Sequence, residues 1–260
     1  MQMPSRYERI LETDAEFSVI IADEPELVEA ACRLRYQVYC LERGFEPGNN
    51  GVETDEFDTH ARHVLLVHRE TGETIGTARV IPSSATHGVG GLPMSRVCAP
   101  GLLRHLPSYT TGEVSRFAIS KCRRMSCHTT ALVRLGLMQG VVRSSIELGL
   151  THWCAIMEPT LLRLLRMSSI RFRPVGPLVE YHGLRQPAWL EIDDVLGHAR
   201  YEQPDAWNYV TCSGVYGTRN RQYSWQPEHP GRILSEPALD FEQICSTAIR
   251  QEAGMMEDAD

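Results

Sequence analysis

The sequence predicts a mixed α/β domain in which a central sheet carries helices on both faces. Three observations support this prediction. β-rich runs alternate irregularly with helical periodicities, no internal repeat is visible, and 260 residues suit one large domain. The predicted order is β-α-β-β-β-α-β-α-β-β, with an acidic loop before the second strand, a long loop before the fourth strand and a basic loop after it. This order excludes a regular βαβ repeat.

The chain begins with a strand and a helix. Residues 17–22 are β-rich, and Pro25 lies near the first turn of the helix that follows. The apolar positions of this helix repeat at three- and four-residue spacing, namely Leu27, Ala31, Leu34, Val38 and Leu41. Arg35 and Tyr39 lie four apart on a neighbouring stripe. The helix pattern alone makes them a boundary arginine and a half-buried tyrosine.

An acidic loop and a β-hairpin come next. Residues 53–58 (ETDEFD) hold four carboxylates around one aromatic ring. Residues 63–68 and 74–81 read as the two strands of a hairpin, and Arg79 lies among apolar residues in the second. Because an unpaired charge on a buried strand face is costly, Arg79 needs a carboxylate partner. The acidic residues 53–58 are the expected source of this carboxylate.

The second half of the chain contains a strand with unusual chemistry. Residues 113–119 alternate like a strand, yet Glu113, Ser115 and Arg116 place a carboxylate, a hydroxyl and a guanidinium within four residues. A connection rich in Gly, Pro and Ser precedes this strand at 82–111, with a short helix near Leu102, and such long connections are usually functional or mobile. The later predicted elements are a helix at 130–148, a strand at 151–157, a helix at 160–167, strands at 171–175 and 188–192, and one further strand at 207–210.

Positive charge is concentrated after this strand. No Asp or Glu occurs from Val114 to Ile146, and Lys121, Arg123 and Arg124 precede a helix N-terminus, which suits a phosphate group. The further arginines that we expect to face an anionic partner include Arg134, Arg143, Arg163 and Arg166. A solvated helix face is the alternative interpretation. Nucleic acid is not expected, because stacking aromatic residues are sparse there and the net charge is −7.

Composition excludes several other classes of protein. The eight cysteines contain no C-x-x-C pair, and Cys122, Cys127 and His128 lack a second pair at zinc spacing, so reduced thiols and no metal site are expected. The beginning of the sequence has no apolar signal core, and no run approaches the length of a membrane helix. A cytoplasmic protein without an integral membrane segment is therefore expected. Residues 235–260 form an acidic tail with seven acids against Arg250.

Four motifs together resemble a known family. They are Arg35-x-x-x-Tyr39, Glu53-x-Asp55-x-Phe57-Asp58, Arg79-x-x-Pro82 and Glu113-x-Ser115-Arg116-Phe117. In this order and spacing they resemble the GNAT superfamily of acyltransferases. Within it they resemble the branch of N-acyl-homoserine lactone (autoinducer) synthases and N-acyl amino acid synthases. The resemblance covers residues 17–195 and implies a GNAT-like, mostly antiparallel sheet in which a central strand splays from its neighbour.

The resemblance also implies roles for these residues. Glu113 is expected to be the catalytic base, with Ser115 and Arg116 positioning the pantetheine arm or the thioester. The alternative for Glu113 is a structural partner of Arg116 or of another arginine. Lys121, Arg123 and Arg124 are expected to bind the donor phosphate or carrier protein. The expected acceptor site is walled by an ion-pair network and nearby aromatic residues, namely Arg35, Tyr39, Glu53, Asp55, Phe57, Asp58, Arg79 and Phe117. No tightly bound cofactor is implied, because acyl carrier protein (ACP) or CoA thioesters serve as donor cosubstrates.

Several departures from the family pattern narrow the expected function. Phe45 stands where the lactone synthases usually carry Trp, residues 120–130 contain no Gly, and 83–110 and the chain after 195 are extra. These features look most like the acyltransferases associated with PEP-CTERM/exosortase systems. We therefore expect transfer of a medium- or long-chain acyl group to an amino acid or similar small amine. The alternatives are a homoserine lactone synthase that uses S-adenosylmethionine and a non-catalytic acyl-binding module.

The expected domain organisation follows from the same boundaries. An N-terminal extension covers 1–16, the acyltransferase domain covers 17–195, and a C-terminal extension covers 196–234 before the acidic tail.

Overall fold

The computed structural model describes residues 10–12, 16–45, 50–122 and 127–217. The strands in this part of the chain are β1 (Ile10–Glu12), β2 (Phe17–Ala22), β3 (Arg62–His68), β4 (Thr74–Pro82), β5 (Thr111–Ile119), β6 (His152–Met157), β7 (Arg173–Pro174), β8 (Val179–Glu180) and β9 (Leu184–Glu191). The α-helices are α1 (Pro25–Arg35), α2 (Cys127–Glu147), α3 (Pro159–Met167), α4 (Ile192–Glu202) and α5 (Pro204–Val210). In these ranges no helix combines the length and the hydropathy that crossing a membrane requires.

The strands form one mixed sheet. Their order is β1-β2-β3-β4-β5-β6-β9-β7, and β8 pairs with β9. Among the described strands β5 and β6 are the parallel pair, and the other neighbours run antiparallel. The predicted mostly antiparallel sheet is confirmed, as is the hairpin of β3 and β4.

Helices cover both faces of the sheet because β2 and β3 are apolar at successive positions. Val19 and Val64 belong to the main core beneath α2, while Leu65 packs with Ala31 of α1 on the opposite face. Side chains of a strand alternate between faces, so a continuous apolar run needs a cover on each side. α2 approaches very closely at Gly140, where an added Cβ would lie 2.3 Å from a methyl carbon of Val64.

The long connection before β5 folds onto the sheet. It contains three short 3₁₀ helices, at Val89–Gly91, Pro93–Arg96 and Pro100–His105. Leu92, Met94 and Leu103 are buried in a second apolar cluster with Ile81 of β4 and Cys154 of β6. The segment therefore acts as a cover over the ends of β4, β5 and β6.

The chain after β9 continues as two helices, and one predicted strand is wrong. Residues 207–210 lie in α5 and not in a strand, because Pro204 occupies the first turn of a helix that buries Trp207 and Val210 against the main core. A four-residue apolar run does not distinguish strand from helix by its pattern. The predicted boundary at 195 stays a prediction, and residues 235–260 lie outside the described residues.

The first helix also departs from its predicted pattern. The α-helix ends at Arg35, and Tyr36–Glu42 form a π-helical turn. Since a π-helix closes its hydrogen bonds over five residues, positions beyond Arg35 rotate away from the predicted apolar stripe. Val38 remains buried, but Leu41 is 60% exposed and does not belong to the core.

The close approach of α2 to β3 gives a stability prediction. Gly140→Ala should destabilise the fold by about 1–2 kcal/mol, because overpacking costs about 1–3 kcal/mol and the gain in helix propensity returns at most about 1. Gly197→Ala is the matched control in α4, where an added Cβ meets nothing within 4 Å. It should stabilise the protein by about 0.5–1 kcal/mol. Urea unfolding of both variants measures the difference, and equal shifts would contradict the close approach.

Candidate active site

The acidic loop is ordered by its own aspartates. The backbone N–H of Asp55 donates to Asp58 Oδ2 at 2.8 Å, and the N–H of Phe57 donates to Asp55 Oδ1 at 2.9 Å. Such side-chain-to-backbone bonds are the usual reason that Asp occurs in tight turns. The same two carboxylates also accept hydrogen bonds from arginines of the neighbouring elements.

Three arginines and three carboxylates form an ion-pair cluster, defined as Arg35, Glu53, Asp55, Asp58, Arg79 and Arg116. Arg35 bonds Asp58 through both terminal nitrogens, at 2.7 and 2.9 Å, and bonds Glu53 through Nε. Arg79 bonds Asp55 at 2.6 Å and Asp58 at 2.5 Å. The predicted pairing of Arg79 with the acidic run is confirmed. Arg35, at 0% exposure, is buried far more deeply than the helix pattern indicated.

The charges in this cluster balance. Partial burial alone would raise the pKa values of Glu53, Asp55 and Asp58, but the adjacent guanidiniums lower all three pKa values below their ordinary range. The three carboxylates are therefore ionised at neutral pH. Breaking the cluster would leave uncompensated charge in a largely dry environment.

A β-bulge directs Arg116 into the cluster. Arg79 pairs with Ser115 and Thr77 pairs with Ala118, so β5 has one residue more than β4 in this interval. Arg116 adopts a φ of 52°, in the left-handed region that non-glycine residues rarely occupy. Its Nε donates to Glu53 at 3.0 Å, and a terminal nitrogen donates to Asp55 at 3.0 Å. A bulge is a common device for redirecting a side chain near a site.

The pairing of β5 with β6 ends at Glu113, and the sheet opens immediately after it. β5 and β6 pair only over Thr111–Glu113 and His152–Cys154 in the described structure. Beyond these pairs a cavity of about 930 Å³ lies between the two strands, lined on the β5 side by residues 114–119. This is a typical size for a small-molecule site. It matches the expected splay of the central strand.

Glu113 lies where the strands separate. It is opposite Ile81 of β4 and Cys154 of β6, it is 2% exposed, and it lines the cavity. The backbone N–H of Met94 donates to its Oε2 at 2.7 Å. Burial raises the pKa of Glu113 to about 7, although the Met94 hydrogen bond and the charge of Arg79 oppose the rise. At neutral pH this carboxyl is thus able both to accept and to return a proton.

The cavity has a polar end and an apolar end. Its polar end contains Glu53, Asp55, Arg79, Glu113, Ser115 and Arg116. Its apolar end contains Phe117, Ile119, Ile156, Met157, Leu161, Leu164 and Met167. Ser115 Oγ accepts a bond from Arg79 Nε at 3.2 Å, so the hydroxyl is held beside the ion-pair cluster.

A second set of charges stands at the cavity mouth. Arg43 donates to Glu158 at 2.6 Å, and Arg185 lies 3.4 Å from the same carboxylate oxygen. Both guanidiniums also lie near the ring of Phe45, with distances of 5.5 Å (Arg43) and 5.4 Å (Arg185) from Cζ to the ring centroid. This contact joins the end of the π-helical turn to the start of α3 and to β9.

The basic loop after β5 is described only at its beginning. Lys121 is exposed, and its backbone N–H donates to Glu42 at 2.8 Å. Arg123 and Arg124 lie outside the described residues. Arg134 does not fit its expected place on an exposed face, because its side chain is buried and lines the cavity.

Comparison with known proteins agrees with this geometry. Residues 34–134 match the Acetyltransferase (GNAT) domain family. This stretch runs from the end of α1 into α2 and includes the acidic loop, β4 and β5. An acyl-homoserine-lactone synthase of Vibrio anguillarum is 22% identical over 145 residues, which cover 55% of this chain and 74% of that protein.

Solved structures share the fold of the GNAT domain. FeeM, an N-acyl amino acid synthase from uncultured soil microbes, superposes with a TM-score of 0.53 at 20% identity, covering 70% of this chain and 93% of that one. BjaI, a CoA-dependent acyl-homoserine lactone synthase solved with SAM and isopentyl-CoA, gives 0.52 at 24% identity, with 68% and 82% covered. The expected resemblance to the branch that joins these two kinds of synthase is confirmed, and the protein is an acyltransferase.

The structure gathers most of the residues that the sequence singled out. The ion-pair cluster and Ser115 are in direct contact, and Tyr39, Phe57, Glu113 and Phe117 line the same cavity. The sequence did not point to the mouth contact of Arg43, Glu158 and Arg185. No short-range signal marks it, because Arg43 and Glu158 are 115 residues apart in the chain.

The ion-pair cluster gives a second prediction. Arg35→Met should destabilise the protein by about 3–5 kcal/mol, because it leaves buried carboxylates short of one partner. Arg33→Met is the matched control on the same helix, since Arg33 forms an exposed pair with Glu29. It should change stability by less than about 0.5 kcal/mol. Urea unfolding at pH 7 compares them, and a small effect of both would show that the cluster contributes little.

Proposed function

We propose that this acyltransferase moves an acyl group from a thioester to the primary amine of a small acceptor. The observation that carries the proposal is the position of Glu113, a carboxyl with a pKa of about 7 at the junction of a polar and an apolar half-cavity. An acyl chain fits the apolar end, and a charged acceptor fits the polar end. The reacting carbonyl and amine then meet beside Ser115 and Glu113.

The reaction needs no covalent enzyme intermediate. The acceptor amine attacks the thioester carbonyl, Glu113 accepts the amine proton directly or through water, and the carbon–sulfur bond breaks. The proton then passes to the departing thiolate, so the carboxylate is regenerated. Ser115, held by Arg79, positions the thioester, and backbone N–H groups of the splayed strand stabilise the developing oxyanion.

The ion-pair cluster is proposed to wall the acceptor site. Glu53 and Asp55 line the cavity together with Arg79 and Arg116, so groups of both signs face the bound molecule. An acceptor that carries an amine and a carboxylate has the matching pair of charges. Tyr39, Phe57 and Phe117 add aromatic surface around it.

S-adenosylmethionine is the better supported acceptor. The Vibrio anguillarum relative is an acyl-homoserine-lactone synthase, and BjaI was solved with SAM. After N-acylation the carboxylate oxygen would attack the carbon next to the sulfonium, close the lactone and release methylthioadenosine. The sequence alone favoured an amino acid, and the comparisons favour the lactone synthase alternative instead.

An amino acid acceptor is the second candidate. It is favoured by Phe45, which stands at the cavity mouth where lactone synthases usually carry Trp, and by the likeness to FeeM. The association with PEP-CTERM/exosortase systems stays a prediction. The donor is proposed to be a medium- or long-chain thioester of ACP or CoA, and exposed Arg163 and Arg166 on α3 support a carrier protein.

Incubation of the purified protein with acyl-ACP or acyl-CoA and either SAM or single amino acids tests the acceptor. We expect mass spectrometry to find an N-acyl-homoserine lactone and an equal amount of methylthioadenosine with SAM. An N-acyl amino acid formed at higher kcat/KM would favour the second candidate. Absence of acylated product with every donor and acceptor, in a folded protein that binds acyl chains, would contradict the enzyme mechanism.

The pKa of Glu113 predicts the pH dependence of this reaction. Because the base must be ionised, kcat/KM should rise with pH and level off above about 7. Glu113→Gln should lower kcat/KM by about 10²–10⁴-fold and remove the inflection near pH 7. Glu191→Gln, at an exposed position of β9, is the control and should keep the wild-type profile. An unchanged profile in Glu113→Gln would exclude Glu113 as the base.

A further inference from the structure

The carboxylate of Glu42 accepts hydrogen bonds from the residues that follow β5. Ser120 Oγ donates to Glu42 Oε1 at 2.6 Å, and the backbone N–H of Lys121 donates to Oε2 at 2.8 Å. The backbone N–H of Cys122 also stabilises this carboxylate, and Gln37 donates to Oε1 at 3.4 Å. A single carboxylate thus receives a hydroxyl and successive backbone N–H groups, a combination that binds anions well.

This carboxylate is charged at neutral pH. Partial burial favours the neutral acid, but the hydrogen bonds from Ser120, Lys121 and Gln37 outweigh burial and lower the pKa of Glu42. The end of β5 therefore already carries a bound anion that belongs to the protein itself.

Glu42 lies close to the part of the cavity where the acyl donor is expected to pass. Ile119, the last residue of β5, lines the cavity, and Ser120 follows it directly. Arg43, next to Glu42, also lines the cavity at its mouth. On the proposed function, a thioester held beside β5 extends its pantetheine arm past Ile119, which brings the donor phosphates towards Ser120 and Lys121.

We propose that Glu42 determines donor specificity by occupying the hydroxyl and N–H groups that donor phosphates would otherwise use. An acyl-CoA carries a diphosphate and a 3′-phosphate, whereas the prosthetic arm of a carrier protein carries one phosphodiester. Glu42 repels the more highly charged donor more strongly. The singly charged prosthetic arm of the carrier protein is repelled less, and the carrier protein adds contacts through its own surface. This inference rests on the proposed function and names the carrier protein as the preferred donor.

A purely structural role for Glu42 makes a different prediction. Glu42 also ties the π-helical turn to the end of β5, and a purely structural role predicts that its loss disturbs the cavity as a whole. Such a disturbance would change turnover of every donor by a similar factor, including acyl-pantetheine, which has no phosphate. The ratio between donors therefore separates the two roles.

The test compares acyl-CoA with acyl-pantetheine of the same chain length. In Glu42→Gln the ratio of kcat/KM for acyl-CoA to that for acyl-pantetheine should rise about tenfold, because one like charge is removed while the side-chain oxygen can still accept hydrogen bonds. Glu42→Ala, which frees the N–H groups, should raise the ratio at least as much. Glu29→Gln removes one charge from an exposed pair on α1 and should leave the ratio at its wild-type value.

Calorimetric binding of free CoA and of pantetheine provides a readout that does not depend on turnover. CoA should bind Glu42→Gln about tenfold more tightly than wild type, whereas pantetheine should bind the two proteins with equal affinity. An unchanged CoA affinity and an unchanged donor ratio would overturn the role of Glu42 while leaving acyl transfer intact. Tighter CoA binding without turnover of any donor would instead support the role of Glu42 in excluding CoA phosphates and would contradict the proposed function.

Discussion

The separation of β5 from β6 after Glu113 is the constraint on which the site depends. Parallel strands that stop pairing leave backbone polar groups without their ladder partners, so the gap must be kept open and filled by other groups. At the closed end the pairs of Thr111–Glu113 with His152–Cys154 fix the separation. At the open end Glu42 binds the end of β5, and Arg43 binds Glu158 just after β6. Two adjacent side chains, the last residue of the π-helical turn and the residue after it, thus hold both sides of the cleft.

The ion-pair cluster explains why neighbouring carboxylates behave so differently. Arg35, Arg79 and Arg116 are matched by Glu53, Asp55 and Asp58, and the guanidiniums lower the pKa values of these carboxylates. Because the arginines are already paired, they offset only part of the desolvation of Glu113. Its pKa therefore rises to about 7 within the same cavity. Groups whose environments drive their pKa values apart are a usual basis for dividing structural from acid–base roles.

The sequence predicted the parts of this site whose chemistry is visible locally. A buried strand arginine needs a carboxylate, and this requirement correctly joined Arg79 to the acidic loop 24 residues away. Local patterns failed where tertiary packing decides the outcome. The π-helical turn displaced Leu41 from the core, and α5 formed where a strand was predicted. The contacts of Glu42 with Lys121, 79 residues apart, have no pattern that composition or periodicity records.

The segment 83–110 links the fold to the chemistry of Glu113. Its apolar residues cover one side of the carboxyl, and Met94 supplies the N–H that holds Oε2. A base buried on all sides has no route to a substrate, but Glu113 also lines the cavity and so meets whatever binds there. On the proposed mechanism, an acyl chain that fills the apolar end displaces water from this side as well. Since desolvation disfavours the carboxylate, donor binding acts on the pKa of Glu113 in the same direction as burial: the ionised fraction falls, and the carboxylate that remains is a stronger base.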